Sequence, residues 1–253
     1  MLTRAAPGDI VPIEVAAGPL AGLKMELDLS VEKDLWLATY EPAVLQAIQH
    51  WVKPGMVTYD VGANIGYVSL ALARAVGAQG QVVAFEPLPE NVSRLRTNIE
   101  LNPEGARVRV VEAAVSDRAE RSQFLIHRSG AMGKLESSKG RAGAYQEEIT
   151  VEVIGLDDWI AEGKLAPPEL IKIDVEGGEA AVLEGMSGAL KNDRPTILIE
   201  LHGPEAAGAV QEILASAGYA LHAMRDGYPE LGEITSWKTY AVALPVDHGI
   251  PGT

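Results

Sequence analysis

Val57-Thr58-Tyr59-Asp60-Val61-Gly62-Ala63-Asn64-Ile65-Gly66 runs from an apolar, strand-like segment into a glycine loop, and the apolar stretch 68–75 beyond it has helical character. A strand, a tight turn and a helix in that order make the first half of a nucleotide-binding α/β unit. Gly62 and Gly66 let the backbone approach a ligand at the carboxyl end of the strand. Glu86, 20 residues after Gly66, closes a second strand, where its carboxylate can accept both ribose hydroxyls. Adenosine is therefore the expected handle.

Spacing selects among adenosine cofactors. A dinucleotide site needs G-x-G-x-x-G, because a pyrophosphate must lie on the exposed amides of a helix N-terminus. Residues 60–66 instead read D-x-G-x-N-x-G. Asp60 would set a carboxylate beside a pyrophosphate, yet it suits the ammonium and sulfonium of a methionine moiety. S-adenosylmethionine is the cofactor expected, with Asp60, Gly62, Ala63, Asn64, Gly66, Glu86 and Pro87 as its first contacts. NAD, and with it a nicotinamide-linked oxidoreductase, fits poorly.

Composition frames this reading. At 253 residues and 47% hydrophobic content the chain can form one large α/β domain, residues 54–253, with residues 1–53 as a small hairpin and helix packed on it. There are no cysteines, so disulfides and thiolate metal sites are excluded. The net charge of −14 argues against a nucleic-acid partner, since phosphate binding relies on clustered Lys and Arg. No stretch approaches the ~20 apolar residues of a membrane span, and a cytoplasmic protein is expected.

Residues 11–15 and 23–29 alternate apolar with polar residues and read as a β-hairpin. Residues 31–52 have helical spacing, interrupted at Tyr40-Glu41-Pro42; Glu41 would reach the cofactor loop if this helix packs over the sheet's carboxyl edge. A helix over 90–101 and a strand over 108–112 follow, and the small side chains of Ala113 and Ala114 would admit the flat adenine ring. This alternation predicts a doubly wound, mostly parallel sheet with the ligand across the strands' carboxyl ends. Residues 121–127 and 149–153 read as a hairpin around 128–146, whose four cations, Arg128, Lys134, Lys139 and Arg141, suit a mobile lid for an anionic substrate.

A second dense cluster is Ile171-Lys172-Ile173-Asp174-Val175-Glu176-Gly177-Gly178-Glu179, followed by Ile199-Glu200-Leu201-His202. Side chains two apart on a strand share a face, so a Lys172–Glu200 ion pair is expected beneath an Asp174–His202 pair. Lys172 would be the support. Asp174 can hold the methionine ammonium or orient His202, which has the natural pKa of a general base, and Glu176 is a second acceptor. Asp174, Glu176 and His202 could also ligate Mg²⁺, a less favoured option because that ion demands near-octahedral oxygen geometry.

The tail reads as a helix over 204–217 and two strands, 218–223 and 240–245, that pair antiparallel; the intervening 224–238 is a candidate pocket wall through Arg225, Asp226, Tyr228 and Trp237. D-V-G-A-N-I-G-Y at 60–67, A-F-E-P at 84–87, A-V-S-D at 114–117, L-D-D-W at 156–159, I-K-I-D-V-E-G-G-E at 171–179 and I-E-L-H at 199–202 together resemble the FkbM family of methyltransferases. The resemblance implies a seven-stranded, Rossmann-like class I fold and O-methylation of a hydroxyl on a small molecule, a sugar or glycan, or a natural product. A non-catalytic module that only binds the adenosine cofactor is the alternative.

Overall fold

The structure, a computed structural model, describes residues 9–127, 133–138 and 145–247. Strands β1 (Ile10–Glu14) and β2 (Lys24–Asp28) form the N-terminal antiparallel hairpin, followed by helices α1 (Lys33–Trp36) and α2 (Pro42–Trp51). The helical stretch 31–52 is thus two helices. They part at Ala38 and Glu41, which both take left-handed backbone conformations, and Pro42 restarts the helix at a position where its missing N–H costs nothing.

The core follows as β3 (Val57–Val61), α3 (Tyr67–Val76), β4 (Gln81–Phe85), α4 (Pro89–Glu100) and β5 (Val108–Val111). Then come β6 (Ala114–Val115), β7 (Glu120–His127), β8 (Gly133–Leu135), β9 (Tyr145–Ile154), α5 (Leu156–Ala161) and β10 (Leu170–Ile173). The chain closes with α6 (Glu179–Glu184), α7 (Ser187–Asn192), β11 (Thr196–His202), α8 (Pro204–Ser216), β12 (Tyr219–Ala223) and β13 (Lys238–Pro245).

Seven strands form the main sheet in the order β12-β13-β11-β10-β3-β4-β5, and only β13 runs against its neighbours. The order reverses between β3 and β10, which places a ligand crevice at their carboxyl ends. The central strands read as near-continuous apolar runs because both faces are covered. Tyr59, Val61, Ile171, Ile173, Ile197 and Ile199 pack under α5 to α8, while Leu170 and Leu198 pack under α2, α3 and the N-terminal hairpin. Period-2 alternation then puts Asp60, Lys172, Asp174, Glu200 and His202 all on the second face, at its carboxyl edge.

The expected hairpin of 121–127 with 149–153 is present as β7 and β9, and it belongs to a separate four-stranded sheet, β6-β9-β7-β8. Its residues Ala114, Phe124, Leu135, Val151 and Val153 cluster with Leu88, and Leu88, Ala114, Phe124 and Leu135 of that cluster face the crevice. Most of the expected 128–146 lid, including Arg128, Lys139 and Arg141, lies outside the described residues.

The N-terminal hairpin is latched to α4 by side-chain amides. Asn98 accepts from the Glu26 N–H at 2.7 Å and donates to the Ile65 carbonyl at 2.8 Å. Asn102 accepts from the Lys24 N–H at 2.8 Å and donates to the Lys24 carbonyl at 2.7 Å. Arg94 forks onto Glu32 and reaches the Glu26 carbonyl. Asn98 therefore joins the hairpin to the loop after β3 directly.

Candidate active site and cofactor cavity

A cavity of about 760 Å³ opens at the carboxyl edge of the sheet, within the range of small-molecule sites. Gly62, Ala63 and Asn64 bring the loop after β3 to its wall. Gly62 has φ 81°, and a Cβ there would stand 1.9 Å from the Asp174 carbonyl oxygen, so only glycine lets this loop pass the end of β10. Gly66, at φ 92°, is the N-cap of α3 and packs against Leu95. It shapes the turn without reaching the cavity wall, contrary to its expected role as a contact.

Glu86 follows β4 and is 4% exposed. Its Oε2 accepts from the Asn64 N–H at 2.8 Å, and its Oε1 accepts from the Leu88 N–H at 3.0 Å and from Asn91 Nδ2 at 3.2 Å. Burial pushes this carboxyl up, and the N–H donors work against that push. Glu86, Pro87, Ala113 and Ala114 line the same cavity, with Leu88, Phe124 and Leu135 adding apolar wall. The residues expected around an adenosine are thus brought together.

Asp60 departs from expectation. It is fully buried and does not line the cavity. Its Oδ2 accepts from Ser69 Oγ at 2.6 Å, and its Oδ1 lies 3.6 Å from Lys172 Nζ. These contacts tie it to Lys172 and α3 rather than to the cavity, where it was expected. Lys172 also donates to the Gly62 carbonyl at 3.3 Å and to Asp174 Oδ2 at 3.4 Å. Burial opposes the ammonium charge, but Asp174, Asp60, Glu41 and Glu200 outweigh it and hold the pKa above its usual value.

The expected Lys172–Glu200 pair does not form. The register sets Lys172 beside Asp60 on one side and beside Leu198 on the other, leaving Glu200 two residues further along. Glu200 instead bonds Lys238, from the start of β13, and His202, whose Nε2 is 2.9 Å from Oε1. Burial opposes ionisation of Glu200, yet these two cations hold it down at about 2.

His202 sits just behind the wall at 4% exposure. Its Nδ1 is 2.7 Å from Glu179 Oε1, and its Nε2 also faces Glu176 Oε2 at 3.7 Å and Asp174 Oδ1 at 3.9 Å. Burial disfavours the imidazolium, but the bonds to Glu179 and Glu200 and the charge of Asp174 prevail and push the pKa up to about 10. A ring held protonated on both nitrogens would have no free lone pair to take a proton near neutral pH. With carboxylates on both ring nitrogens, this arrangement favours the protonated ring and argues against the expected general base.

Glu41, the N-cap of α2, takes φ 43°, a strained conformation for a residue with a side chain. It is 7% exposed, it lines the cavity, and its buried Oε1 has no hydrogen-bond partner. Burial raises its pKa to about 7, partly offset by Lys172. Sequence reasoning missed Glu179 and Lys238, and of the 224–238 segment only Lys238 reaches the wall. Tyr228 packs on His50 and Trp51 instead. Among the described residues no helix is long and apolar enough to cross a membrane.

The family model for the methyltransferase FkbM domain matches residues 60–221. The chain is 33% identical over 202 residues to the 31-O-demethyl-FK506 methyltransferase FkbM of Streptomyces tacrolimicus, covering 69% of this chain and 76% of that one. It is 27% identical over 177 residues to the hexuronic acid methyltransferase AglP of Haloferax volcanii, with 70% and 69% covered. A solved candidate rRNA-methylase of Clostridium thermocellum shares the fold at a TM-score of 0.51 and 13% identity, over 81% of this chain and 94% of that one. A model matched over most of the chain, on a Rossmann-like sheet with its cavity at the switch point, places this protein in the FkbM family of S-adenosylmethionine-dependent methyltransferases.

Proposed function

We propose that this methyltransferase acts on a hydroxyl oxygen of a small molecule, a sugar or glycan, or a natural product. The observation that supports this most is one cavity walled by the amide-anchored Glu86 carboxylate, the buried carboxylates Glu41 and Glu200 and the half-buried Asp174. The donor set fits the cofactor: Glu86 can accept from ribose hydroxyls, Ala113 and Ala114 leave room for a flat ring, and Asp174 can accept from an ammonium. When bound, S-adenosylmethionine supplies an electrophilic methyl on a sulfonium.

What the chain adds is alignment, exclusion of water and a place for the acceptor's proton. Glu41 is the group suited to take that proton, since it combines an unpartnered oxygen with a pKa of about 7. His202, protonated, holds Glu200 and Glu179 in place from behind the wall. The names of two relatives support oxygen chemistry on such acceptors, one specifying a 31-O position and the other a hexuronic acid.

Incubation with methyl-labelled S-adenosylmethionine and a panel of uronic acids, neutral sugars and polyketide alcohols, alongside amine analogues, tests the reading. Label on oxygen, with one S-adenosylhomocysteine released per methyl, is the expected result. Transfer confined to nitrogen or carbon would refute it.

A further inference from the structure

We propose that Asp174, Glu200 and His202 form a binding site for a divalent transition-metal cation on the cavity wall. One ligand atom from each lies within 4.8 Å of the others, so a small ion between them needs only side-chain adjustment. His202 Nε2 is the centre of the group, 2.9 Å from Glu200 Oε1 and 3.9 Å from Asp174 Oδ1, with Glu176 Oε2 at 3.7 Å as a further oxygen.

Two observations separate this group from an ordinary acidic patch. Glu200 Oε2 is buried without a hydrogen-bond partner, on a side chain 4% exposed. A buried carboxylate oxygen left unpaired costs free energy that a ligand would recover. Behind the histidine, Glu179 Oε1 sits 2.7 Å from Nδ1 on a side chain with no exposure. A carboxylate on the far nitrogen is how metal-ligating histidines are oriented, leaving Nε2 for the ion.

The cation would take the place of the Nε2 proton and displace Lys238, which bonds Glu200 from a side chain that is 47% exposed and so can swing into water. One imidazole with two or three carboxylates suits Mn²⁺, Co²⁺ or Zn²⁺ better than Mg²⁺ or Ca²⁺, which favour all-oxygen sets. The expected set is therefore Asp174, Glu200 and His202 with Glu176 in reach. If the proposed hydroxyl acceptor is correct, the ion would polarise that hydroxyl beside Glu41; binding of the ion itself does not depend on that reading.

The test is calorimetric titration of the full chain, stripped with chelator, with MnCl₂, ZnCl₂, MgCl₂ and CaCl₂ in the absence of cofactor. One saturable Mn²⁺ or Zn²⁺ site is expected, at least about tenfold tighter than Mg²⁺ or Ca²⁺. Asp174→Asn and Glu200→Gln should each weaken it about tenfold or more, and Glu179→Gln about 10- to 100-fold. Lys238→Met, which removes the competitor from an exposed position, should tighten it. Absence of a saturable site in the folded wild type, or Mn²⁺ affinity unmoved by Asp174→Asn and untightened by Lys238→Met, overturns the proposal. A parallel S-adenosylhomocysteine titration keeps the readings apart: binding of that compound without a metal site rejects only the cation.

Discussion

The Asn64 backbone N–H donates to Glu86 Oε2 at 2.8 Å, so the loop after β3 and the carboxylate after β4 are one unit. With the Leu88 N–H on the other oxygen, the carboxylate is aimed before any ligand arrives. Glu86→Ala would leave both N–H groups buried and unpaired, at about 1–3 kcal/mol each, and should lower the melting temperature as well as cofactor affinity. Glu86→Gln keeps an acceptor for one N–H and should act mainly on affinity, by about 10- to 100-fold for S-adenosylhomocysteine in calorimetry, if charge-assisted bonds to hydroxyls are lost. Equal affinity in Glu86→Gln and wild type would detach Glu86 from the cofactor.

Gly62→Ala and Gly163→Ala make an informative pair. Both glycines have positive φ, 81° and 68°, but an added Cβ meets the Asp174 carbonyl oxygen at 1.9 Å in the first and nothing within 4 Å in the second. The second should cost about 1 kcal/mol in urea unfolding, from backbone strain alone. The first should cost several times that, since a backbone carbonyl cannot step aside. Similar losses in both would mean that the approach of the loop to β10 is not tight.

Alternation along the strands was enough to group Asp60, Lys172, Asp174, Glu200 and His202 on one edge, because a buried parallel strand exposes its chemistry only at its carboxyl end. Pairing within the group was not legible, since it depends on register: Lys172 lies level with Asp60 and Leu198, and Glu200 is left to β13. Glu179 and Lys238 come from elements whose approach is tertiary. His202 looked like a base because its ordinary pKa and a neighbouring Asp174 were visible, while the bonds of Glu179 to its Nδ1 and of Glu200 to its Nε2 were not. Glu41 was legible as a break in a helix, while its burial and left-handed backbone were not.

Three carboxyl and imidazole groups give metal-free stability a definite pH profile. Glu200, held at about 2 against a usual 4.5, adds stability that is complete above 4.5 and lost as pH falls toward 2. Glu41, raised to about 7, works in the opposite sense: its stabilising protonated form is lost as pH rises from 4.5 through 7. His202, raised to about 10 from 6.5, contributes fully below 6.5 and fades as pH climbs through 10. Chelator-treated protein should therefore be most stable near pH 4.5, losing melting temperature below it through Glu200 and above it first through Glu41 and then, beyond pH 6.5, through His202. Stability rising from pH 6 to 9 would contradict the assigned charge states.

Glu41→Gln tests the proton acceptor through two readouts of opposite sign. It removes a buried carboxylate that is costly to ionise, so at pH 8 it should raise the melting temperature while leaving it nearly unchanged at pH 5. The same change should reduce methyl transfer by about 10²- to 10⁴-fold, the usual worth of a positioned base, and abolish the rise of kcat/KM through pH 7 that the wild type should show. A Glu41→Gln enzyme with a wild-type pH profile would return the base role to another group.

Lys172 is the cation most of this edge depends on, and its removal separates pairing from packing. Lys172→Met preserves much of the side chain's length but strands Asp60, which is fully buried and keeps only Ser69 as a partner. Breaking a buried pair from one side costs about 3–5 kcal/mol, whereas replacing both partners with neutral groups is often close to neutral. Asp60→Asn combined with Lys172→Met should therefore recover much of the stability lost by Lys172→Met alone, giving a positive coupling in a double-mutant cycle by urea unfolding. Recovery is bounded by Asp174, whose Oδ2 is 3.4 Å from the same ammonium and stays unpaired in the double variant. If the two losses simply add, the 3.6 Å approach of Lys172 to Asp60 carries no energetic weight, and the ammonium is held by Asp174 and the Gly62 carbonyl instead.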